Sequence, residues 1–252
     1  MTTRCPAPLA WRSAPADQVL DAGDVHVWRL RLVPPQPLDH TLDADERDRA
    51  ARFYFERDRA VFTSVRSMLR TLAGRYLGWP AADIAFGYGA RGKPYLARPA
   101  GDSLRFNVSH SGAYALLAFA RGREVGVDVE QRRALPDLRS LAETSFSSRE
   151  YAAWCALPPD VQPEAFFTCW TRKEAFIKAT GEGISQLGDF DVSLGPGEPP
   201  RILRIAGLQL DQPRWSIHDL PAIAEHAAAL VTEGRPEHIR CWDWQLVAVP
   251  LA

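Results

Sequence analysis

The first third of the chain shows two kinds of hydrophobic periodicity. Residues Gly23–Val33 alternate apolar and polar positions and stop at a pair of prolines, which predicts an opening strand. From about Ala44 to Leu77 the apolar residues recur every three or four positions, and Gly78 closes the run. That spacing predicts a long helical region. A strand followed by a helix indicates a fold that mixes both elements.

The rest of the chain is predicted to contain mostly strands. Arg105–Ala120 and Glu124–Glu130 have strand-like composition and should pair across a tight turn at Arg121–Arg123. Beyond Gly188 the apolar runs are short and separated by turn residues, which predicts five further strands. These strands are expected at Phe190–Leu194, Arg201–Ile205, Trp215–His218, Ala227–Thr232 and Ile239–Val249.

Two helices are predicted between these groups of strands. Ser147 is followed three residues later by Glu150, which is the spacing of a capping box, so a helix should begin there and end near Cys155. A second helix is expected over Gln162–Thr180, with a proline in its first turn and Gly181 just past its end.

Composition narrows the class of protein. The chain has 252 residues, 46% hydrophobic and 24% charged, enough apolar mass for one large domain or two compact halves. The net charge of −1 gives no reason to expect nucleic-acid binding. Apolar runs such as Ala113–Ala120 are far too short to span a membrane, and no secretory signal is expected at the N-terminus. The four cysteines are widely separated, so reduced thiols and a cytoplasmic location are expected.

Lysine is scarce, and the positions of the lysines indicate where a catalytic or binding site could lie. Of 30 basic residues only Lys93, Lys173 and Lys178 are lysine, and two of them flank Glu174. On a helix Glu174 and Lys178 are neighbours at i and i+4, so they share one face. Such a pair could ligate a metal and neutralise a phosphate. The alternative is a surface ion pair, which contributes only a few tenths of a kcal/mol.

A second candidate is the segment VGVDVE, residues 125–130. In a strand Asp128 and Glu130 project from the same face, where two carboxylates repel unless a proton or a cation intervenes. Hard divalent cations such as magnesium prefer oxygen ligands, and one or two carboxylates with phosphate oxygens and water suffice. The alternative is a solvent-facing strand edge that carries two acids.

Two further segments offer polar contacts. In FNVSHSG, residues 106–112, the polar residues Asn107, Ser109 and Ser111 offer several hydrogen-bond donors, and His110 between the two serines could contact a phosphate or a base. The histidine could also be a catalytic base or a structural residue, and no GxSxG elbow surrounds either serine, so a serine hydrolase is disfavoured. Arg91–Pro94 (RGKP) combines a flexible glycine with a cation, although such turns are frequent.

The order of these motifs resembles the Sfp-type 4'-phosphopantetheinyl transferases. That family has G-K-P, F-N-x-S-H, (V/I)-G-(I/V)-D-(I/V)-E and W-x-x-K-E-x-x-x-K-x-x-G-x-G in this order. The chain has them at Gly92–Pro94, Phe106–His110, Val125–Glu130 and Trp170–Gly183, with every fixed position present and similar spacing. The match is looser over Glu46–Ala60.

The resemblance implies roles for individual residues. Asp128, Glu130 and Glu174 match the acids that bind magnesium, and Glu174 also matches the base for the acceptor serine. Lys178 matches a lysine that contacts a coenzyme A phosphate and, with Asp128 and Glu174, belongs to the implied catalytic set. The remaining residues that match coenzyme A contacts are Arg49, Arg91, Gly92, Lys93, Pro94, Asn107, Ser109, His110 and Lys173. Phe62 is a departure, because some members have a polar coenzyme A contact there.

The resemblance also implies a fold and an activity. The fold would be an α+β monomer of two similar halves, residues 1–122 and 123–252, related by a pseudo-twofold axis with the active site between them. The enzyme, a holo-[acyl-carrier-protein] synthase, would transfer 4'-phosphopantetheine from coenzyme A to a serine of an apo acyl or peptidyl carrier protein. The reaction would need Mg2+ and release adenosine 3',5'-bisphosphate. No nucleic-acid or membrane partner is expected.

Two other functions remain open on the residues alone. One is a catalytically silent homologue that binds coenzyme A or a carrier protein without transferring anything. The other is an unrelated magnesium-dependent phosphohydrolase that acts on nucleotides, although no hydrolase motif supports it.

Overall fold

Helices and strands are mixed along the chain in a computed structural model that describes residues 9–15, 18–32, 41–98, 102–181, 184–195, 197–206 and 214–244, with no side-chain description for 184–186. The strands are β1 (Trp11–Arg12), β2 (Asp24–Arg31), β3 (Ala85–Tyr88), β4 (Pro94–Arg98), β5 (Leu104–Ser111), β6 (Tyr114–Arg121), β7 (Val125–Gln131), β8 (Phe190–Val192), β9 (Ile202–Ile205), β10 (Trp215–Asp219), β11 (His226–Glu233) and β12 (His238–Asp243). The helices are α1 (Ala44–Ala51), α2 (Glu56–Leu77), α3 (Leu138–Ser145), α4 (Ser148–Cys155) and α5 (Gln162–Thr180), with short 3₁₀ turns at Ala81–Asp83 and Ile184–Asp189. The fold is therefore α+β.

The strands form two main sheets and two small hairpins. The larger sheet has the order β1-β12-β2-β6-β5, in which β12 runs parallel to both of its neighbours and the other pairs are antiparallel. The smaller sheet, β10-β11-β7, is antiparallel throughout. The hairpins are β3–β4 and β8–β9.

The two main sheets pack against each other between two helices, and alternate side chains of a strand point to opposite faces. On β6, Leu117 and Phe119 face a core shared with α2, whereas Leu116 and Ala118 face the smaller sheet. On β11, Ala229 and its alternate neighbours pack against α5. The order of layers is therefore α2, larger sheet, smaller sheet and α5. Alternate residues of each strand point away from the core between the sheets, so each sheet has an outer apolar face. Each helix covers one of these outer faces.

The helix ends follow their local sequence. The capping box predicted at Ser147 and Glu150 is confirmed, because each caps a backbone N–H of the other. A second capping box, Asp43 with Glu46, begins α1. Helix α5 ends at Gly181, whose positive φ of 75° suits glycine. No described helix is long and apolar enough to cross a bilayer.

Some predicted elements differ from the structure. The segment Arg105–Ala120 is a hairpin of two strands that reverses at Gly112, and β7 pairs with β11 and not with β6. The prediction of a β6–β7 pair was wrong because strand propensity does not identify the partner of a strand. The predicted helical region Ala44–Leu77 is two helices, interrupted at residues 52–55. Residues 33 and 245–249 of the predicted strands lie outside the described ranges.

The division expected at residue 122 does not follow the sheets completely. Residue 122 lies between β6 and β7, at the passage from the larger sheet to the smaller one. However, β12 returns to the larger sheet and lies between β1 and β2. The C-terminal strand is therefore part of the same layer as the N-terminal residues.

Candidate active site

Strand β7 brings two of the candidate acids to helix α5. Its odd-numbered residues face the interior between the sheets, so Gly126, Asp128 and Glu130 face the other way. A Cβ at Gly126 would lie 2.1 Å from the Ala175 carbonyl oxygen and 2.4 Å from the Ala179 nitrogen. Only glycine permits this approach of helix to strand, and the approach places α5 directly over β7.

A chain of short contacts links Asp128 to Lys178 across this junction. The Lys178 ammonium donates to Asp128 Oδ1 at 2.6 Å and to Ser109 Oγ at 2.9 Å. Ser109 in turn donates to the same carboxylate oxygen at 2.8 Å. Asp128 is buried, whereas the Lys178 side chain keeps 28% of its surface exposed. The ammonium therefore reaches a buried carboxylate from the solvent side.

Two buried carboxylate oxygens next to this contact have no hydrogen-bond partner among the described residues. They are Asp128 Oδ2 and Glu174 Oε1. Burial raises the pKa of Asp128, and the nearby Lys178 and Ser109 oppose that rise. Burial and the charge of Asp128 likewise raise the pKa of Glu174. Unsatisfied buried oxygens that repel one another need a proton or a cation.

These oxygens fit a magnesium ion, although they do not make a complete metal site. Within the described ranges no group of three or more His, Cys, Asp or Glu side chains is arranged to hold a metal ion. Magnesium commonly takes only one or two carboxylates and completes its shell with water and substrate phosphates. Asp128 Oδ2 and Glu174 Oε1 could supply those two ligands, with Glu130 close enough to influence both pKa values.

A ladder of side chains joins the edge of the larger sheet to the edge of the smaller one. Three polar residues of β5 accept hydrogen bonds from backbone N–H groups of β7 at 2.9, 3.3 and 3.1 Å. The pairs are Asn107 with Val127, Ser109 with Val129, and Ser111 with Gln131. Ser111 also donates to Glu130 Oε2 at 2.8 Å. The polar alternation of FNVSHS thus satisfies an otherwise open strand edge and orients both acids of β7.

His110 lies on the opposite face of β5, the face that carries Phe106, and is itself exposed. Burial and then the charge of Lys178 lower the pKa of His110, whereas Glu130 and Asp58 raise it. These interactions place His110 near the acid–lysine cluster and near the first turn of α2. It is available for contact from solvent.

A cleft beside the cluster contains the GKP segment. A cavity of about 240 Å³ is lined by Arg91, Gly92, Lys93, Pro94, Asn107, Val108, Ile177, Lys178 and Gly181. A neighbouring cavity of about 650 Å³ shares Arg91, Lys93, Pro94 and Gly181. The Lys93 ammonium donates to Glu124 Oε2 at 2.7 Å and to the Ala179 carbonyl at 2.8 Å. Lys93 therefore connects the loop between β3 and β4 to the end of α5.

Sequence comparisons identify the family of the chain. The profile described as the 4'-phosphopantetheinyl transferase superfamily matches residues 124–231, and a profile for the N-terminal region of 4'-phosphopantetheinyl transferase matches residues 36–121. The 4'-phosphopantetheinyl transferase HetI of Nostoc sp. is 38% identical over 239 residues, 93% of this chain and 98% of that protein. The chain belongs to the 4'-phosphopantetheinyl transferase superfamily. It is an enzyme that transfers a 4'-phosphopantetheinyl group.

Other members of the superfamily are similar over different shares of the chain. A 4'-phosphopantetheinyl transferase of Bacillus subtilis is 37% identical over 61% of this chain and 66% of that protein. The human L-aminoadipate-semialdehyde dehydrogenase-phosphopantetheinyl transferase is 28% identical over 86% of this chain and 72% of that protein. The crystal structure of Thermotoga maritima holo-[acyl-carrier-protein] synthase covers 44% of this chain and 63% of that chain, with 23% identity and a TM-score of 0.33.

The structure does not bring Lys173 into the cluster formed by Asp128, Glu174 and Lys178. The Lys173 side chain is fully buried, donates to Glu150 Oε2 at 2.6 Å and to the Phe190 carbonyl at 2.9 Å, and lies over the Phe190 ring. Because its ammonium is enclosed and paired, the expectation that Lys173 contacts coenzyme A is corrected. It anchors α5 to α4 and β8 instead.

Asn107 and Arg49 also differ from the other candidates. The Asn107 side chain is buried and its oxygen is occupied by the ladder, although Asn107 still lines the smaller cavity. Arg49 lies on α1 and contacts Tyr88 and Phe62, away from Asp128. Sequence reasoning did not assign Ser111 a role, although its place in the i, i+2, i+4 series with Asn107 and Ser109 was visible.

Proposed function

We propose that this enzyme transfers the 4'-phosphopantetheine of coenzyme A to a serine of an apo acyl or peptidyl carrier protein, with Mg2+, and releases adenosine 3',5'-bisphosphate. The observation that carries the proposal is the pair of unsatisfied carboxylate oxygens on Asp128 and Glu174 next to the Lys178 ammonium. Phosphoryl transfer depends mainly on positioning and charge neutralisation, which a compact group of acids with one ammonium can provide.

Asp128 and Glu174 would hold the magnesium ion, with Glu130 either a third ligand or bonded to a water of the ion. The ion would supply positive charge that polarises the attacked phosphorus and stabilises the leaving group. Glu130 already accepts from Ser111, so one of its oxygens has a fixed position.

Lys178 and Glu174 would perform the remaining steps. Lys178 has 28% of its side chain exposed and can move from Asp128 to a phosphoryl oxygen, where it would offset developing charge. Glu174 would accept the proton of the carrier serine at a carboxylate oxygen, and its raised pKa suits a proton acceptor. Ser109 would keep Asp128 in place throughout, since it donates to Asp128 and accepts from the backbone of Val129.

The cleft beside the cluster would hold the nucleotide of coenzyme A. Arg91, Lys93 and Pro94 line both cavities, and Gly92, which lines the smaller one, has a φ of 80°, which lets the loop turn back tightly. Lys178 lines the smaller cavity, so a ligand there would reach the acid cluster. Arg49, Lys93, Ser109 and His110 complete the proposed coenzyme A contacts.

The architecture and setting are part of the same proposal. The two halves, residues 1–122 and 123–252, would be related by a pseudo-twofold axis, with β12 as a strand that the second half contributes to the first. The active site would lie between them, where the β5–β7 ladder joins the sheets. The enzyme would act as a monomer in the cytoplasm, without nucleic-acid or membrane partners.

Mass spectrometry of several apo-carrier proteins incubated with the enzyme, coenzyme A and magnesium tests the proposal. Wild-type enzyme should add one phosphopantetheine to the carrier. Asp128→Asn should lower the rate on the order of a hundredfold or more, because it removes a main electrostatic element of the site. Asp160→Asn changes an exposed acid outside the cleft and is the matched control.

The outcomes separate the alternatives. Binding of coenzyme A without mass gain on any carrier would indicate a silent homologue. Release of phosphate from coenzyme A without a carrier would indicate a phosphohydrolase. A rate for Asp128→Asn close to wild type, with magnesium still required, would show that the metal lies elsewhere.

A further inference from the structure

His226 is a buried histidine at the start of β11 that bridges two separate segments of backbone. Only 5% of the residue is exposed. Its ring Nδ1 lies 2.7 Å from the Ala224 carbonyl oxygen, and its Nε2 lies 3.1 Å from the Ser111 carbonyl oxygen. A carbonyl oxygen only accepts hydrogen bonds, so each contact is a hydrogen bond when the ring nitrogen carries a proton. The ring thus connects the turn between β10 and β11 to the end of β5.

The turn that His226 holds has a strained backbone. Ile223 and His226 form an isolated bridge across it, in which the His226 N–H donates to the Ile223 carbonyl at 3.0 Å. Between them Glu225 has a φ of 57°, which is uncommon for a residue other than glycine. The Glu225 carbonyl accepts from the N–H of Arg132, directly beyond β7, at 2.7 Å. A strained turn persists only when its surroundings fix it, and these contacts fix it against the end of β7.

Tyr114 restricts the orientation of the His226 ring. The centroids of the two rings are 5.2 Å apart, and their planes are nearly perpendicular. Tyr114 is the first residue of β6 and lies opposite Ser111 in the β5–β6 register. Edge-to-face packing of this kind holds a ring without using its nitrogens. Both nitrogens of His226 are therefore directed at backbone carbonyls, and neither is free to act on a ligand.

Ser111 continues the connection to an acid of the candidate active site. Its hydroxyl accepts from the Gln131 N–H at 3.1 Å and donates to Glu130 Oε2 at 2.8 Å. On the other side of β7, His226 lies opposite Gln131 in the register with β11. The end of β7 is therefore held between Ser111 and His226. Because Ser111 binds one carboxylate oxygen of Glu130, the position of Ser111 determines where that oxygen lies.

We propose that His226 is a positioning residue, which fixes Glu130 for the magnesium ion by holding Ser111. This inference rests on the proposed function, in which Glu130 binds the ion or a water of the ion. A carboxylate that is already held in one place loses less conformational freedom when it binds. Groups that hold a metal-binding side chain in this way commonly contribute to metal affinity. His226 therefore acts on the ion through Ser111 and Glu130, without touching it.

Asparagine and glutamine at position 226 separate the two hydrogen bonds of the ring. The amide nitrogen of asparagine stands as far from the backbone as Nδ1 of histidine, and that of glutamine stands as far as Nε2. His226→Asn therefore keeps a donor for the Ala224 carbonyl and releases Ser111, whereas His226→Gln keeps a donor for Ser111. Each variant loses one hydrogen bond, so a purely structural role of His226 predicts similar effects in both.

Isothermal titration of magnesium into the full-length enzyme saturated with coenzyme A tests this inference without a carrier protein. His226→Asn should raise the magnesium Kd about fivefold, and Ser111→Ala, which removes the hydroxyl, should raise it by a similar factor. His226→Gln should stay within about twofold of wild type. Combining Ser111→Ala with His226→Asn should add little, because both changes act through the same contact to Glu130. His238→Asn changes an exposed histidine on β12 and is the matched control.

Equal magnesium Kd values for His226→Asn and His226→Gln overturn the inference, and so does a wild-type Kd in Ser111→Ala. Thermal unfolding verifies that each variant is folded. If His226→Asn is not, His226→Gln decides: a Kd near wild type supports the inference, and a Kd raised about fivefold overturns it. In each of these cases, transfer by the wild-type enzyme to a carrier protein leaves the proposed function standing. A wild-type enzyme that binds no magnesium together with coenzyme A overturns both.

Discussion

Two lysines five positions apart on α5 have unrelated roles. Lys173 is buried against Glu150, whereas Lys178 reaches the acid cluster from solvent. The helical period already separates them, because Glu174 and Lys178 share a face at i and i+4, while Lys173 points about 100° away from Glu174. The partner of Lys173 could not be predicted, since Glu150 lies on another helix.

Glu130 and Glu174 should respond differently to loss of charge. Glu130→Gln keeps the shape and the contact with Ser111, so it should weaken apparent magnesium affinity, and added magnesium should recover part of the rate. Glu174→Gln should not be rescued if Glu174 also accepts the serine proton. Transfer rate against magnesium concentration for both variants measures this. A more severe, unrescued defect in Glu130→Gln would reverse the two roles.

Acid should destabilise the fold partly through His26. Burial lowers the pKa of His26 to about 4, while the same side chain in an unfolded chain has a pKa near 6.5. As the pH falls, the unfolded chain therefore takes up the proton first, and the free energy of unfolding decreases. Linkage gives a loss of about 2 kcal/mol at pH 5 relative to neutral pH.

Urea unfolding at pH 7 and pH 5 measures that loss. His26→Gln should reduce the difference in free energy of unfolding between the two pH values by about the same amount. Burial also lowers the pKa of His218 to about 4, so His218 should still contribute its own part of the pH-dependent loss of stability in the variant. An unchanged difference in His26→Gln would contradict the assignment.

At the scale of elements, the site depends on how closely β7 and α5 approach. Gly126→Ala should push the helix away from the strand, because a Cβ there meets backbone atoms of Ala175 and Ala179. Overpacking of this kind costs about 1–3 kcal/mol, and transfer should fall as Glu174 and Lys178 separate from Asp128. Denaturation and transfer assays measure both effects. Gly188→Ala, where the added Cβ has open space, is the control.

The β5–β7 ladder predicts a structural role for Asn107. Asn107→Leu leaves the Val127 N–H without its acceptor and should cost about 1–3 kcal/mol of stability. Asn107→Asp keeps an acceptor oxygen and should lose less. Chemical denaturation measures stability, and the KM for coenzyme A provides the second readout. A raised KM in Asn107→Asp with unchanged stability would indicate a ligand contact instead.

Local signals in the sequence predicted the elements better than their partners. The capping box at Ser147 and the glycine after α5 specify helix ends, because each acts within a few residues. The ladder was only half visible, since the alternation of β5 side chains lies in the sequence but the open edge of β7 does not. The hydrogen bond from Arg66 on α2 to the Tyr88 hydroxyl on β3 gave no local signal, because the two residues come from different elements.

The whole molecule should unfold as one unit. A core between the sheets joins residues of β2 and β6 to residues of β7 and β11, and β12 returns to the larger sheet. Trp28 and Trp242 belong to the core beside α2, whereas Trp154 and Trp215 belong to the core beside α5. In the unaltered protein, tryptophan fluorescence, near-UV circular dichroism and far-UV circular dichroism should show the same urea midpoint. Separate midpoints would indicate independent halves.

The contact between Lys178 and Asp128 has a consequence for the life of the protein before it meets any ligand. A site built only from acids would repel itself during folding, and such proteins often need their ion in order to fold. Here an ammonium already balances one of the acids. If the enzyme uses magnesium as proposed, the newly made chain should therefore fold in a cell that is short of divalent cations, and chelation should stop transfer without shortening the lifetime of the protein.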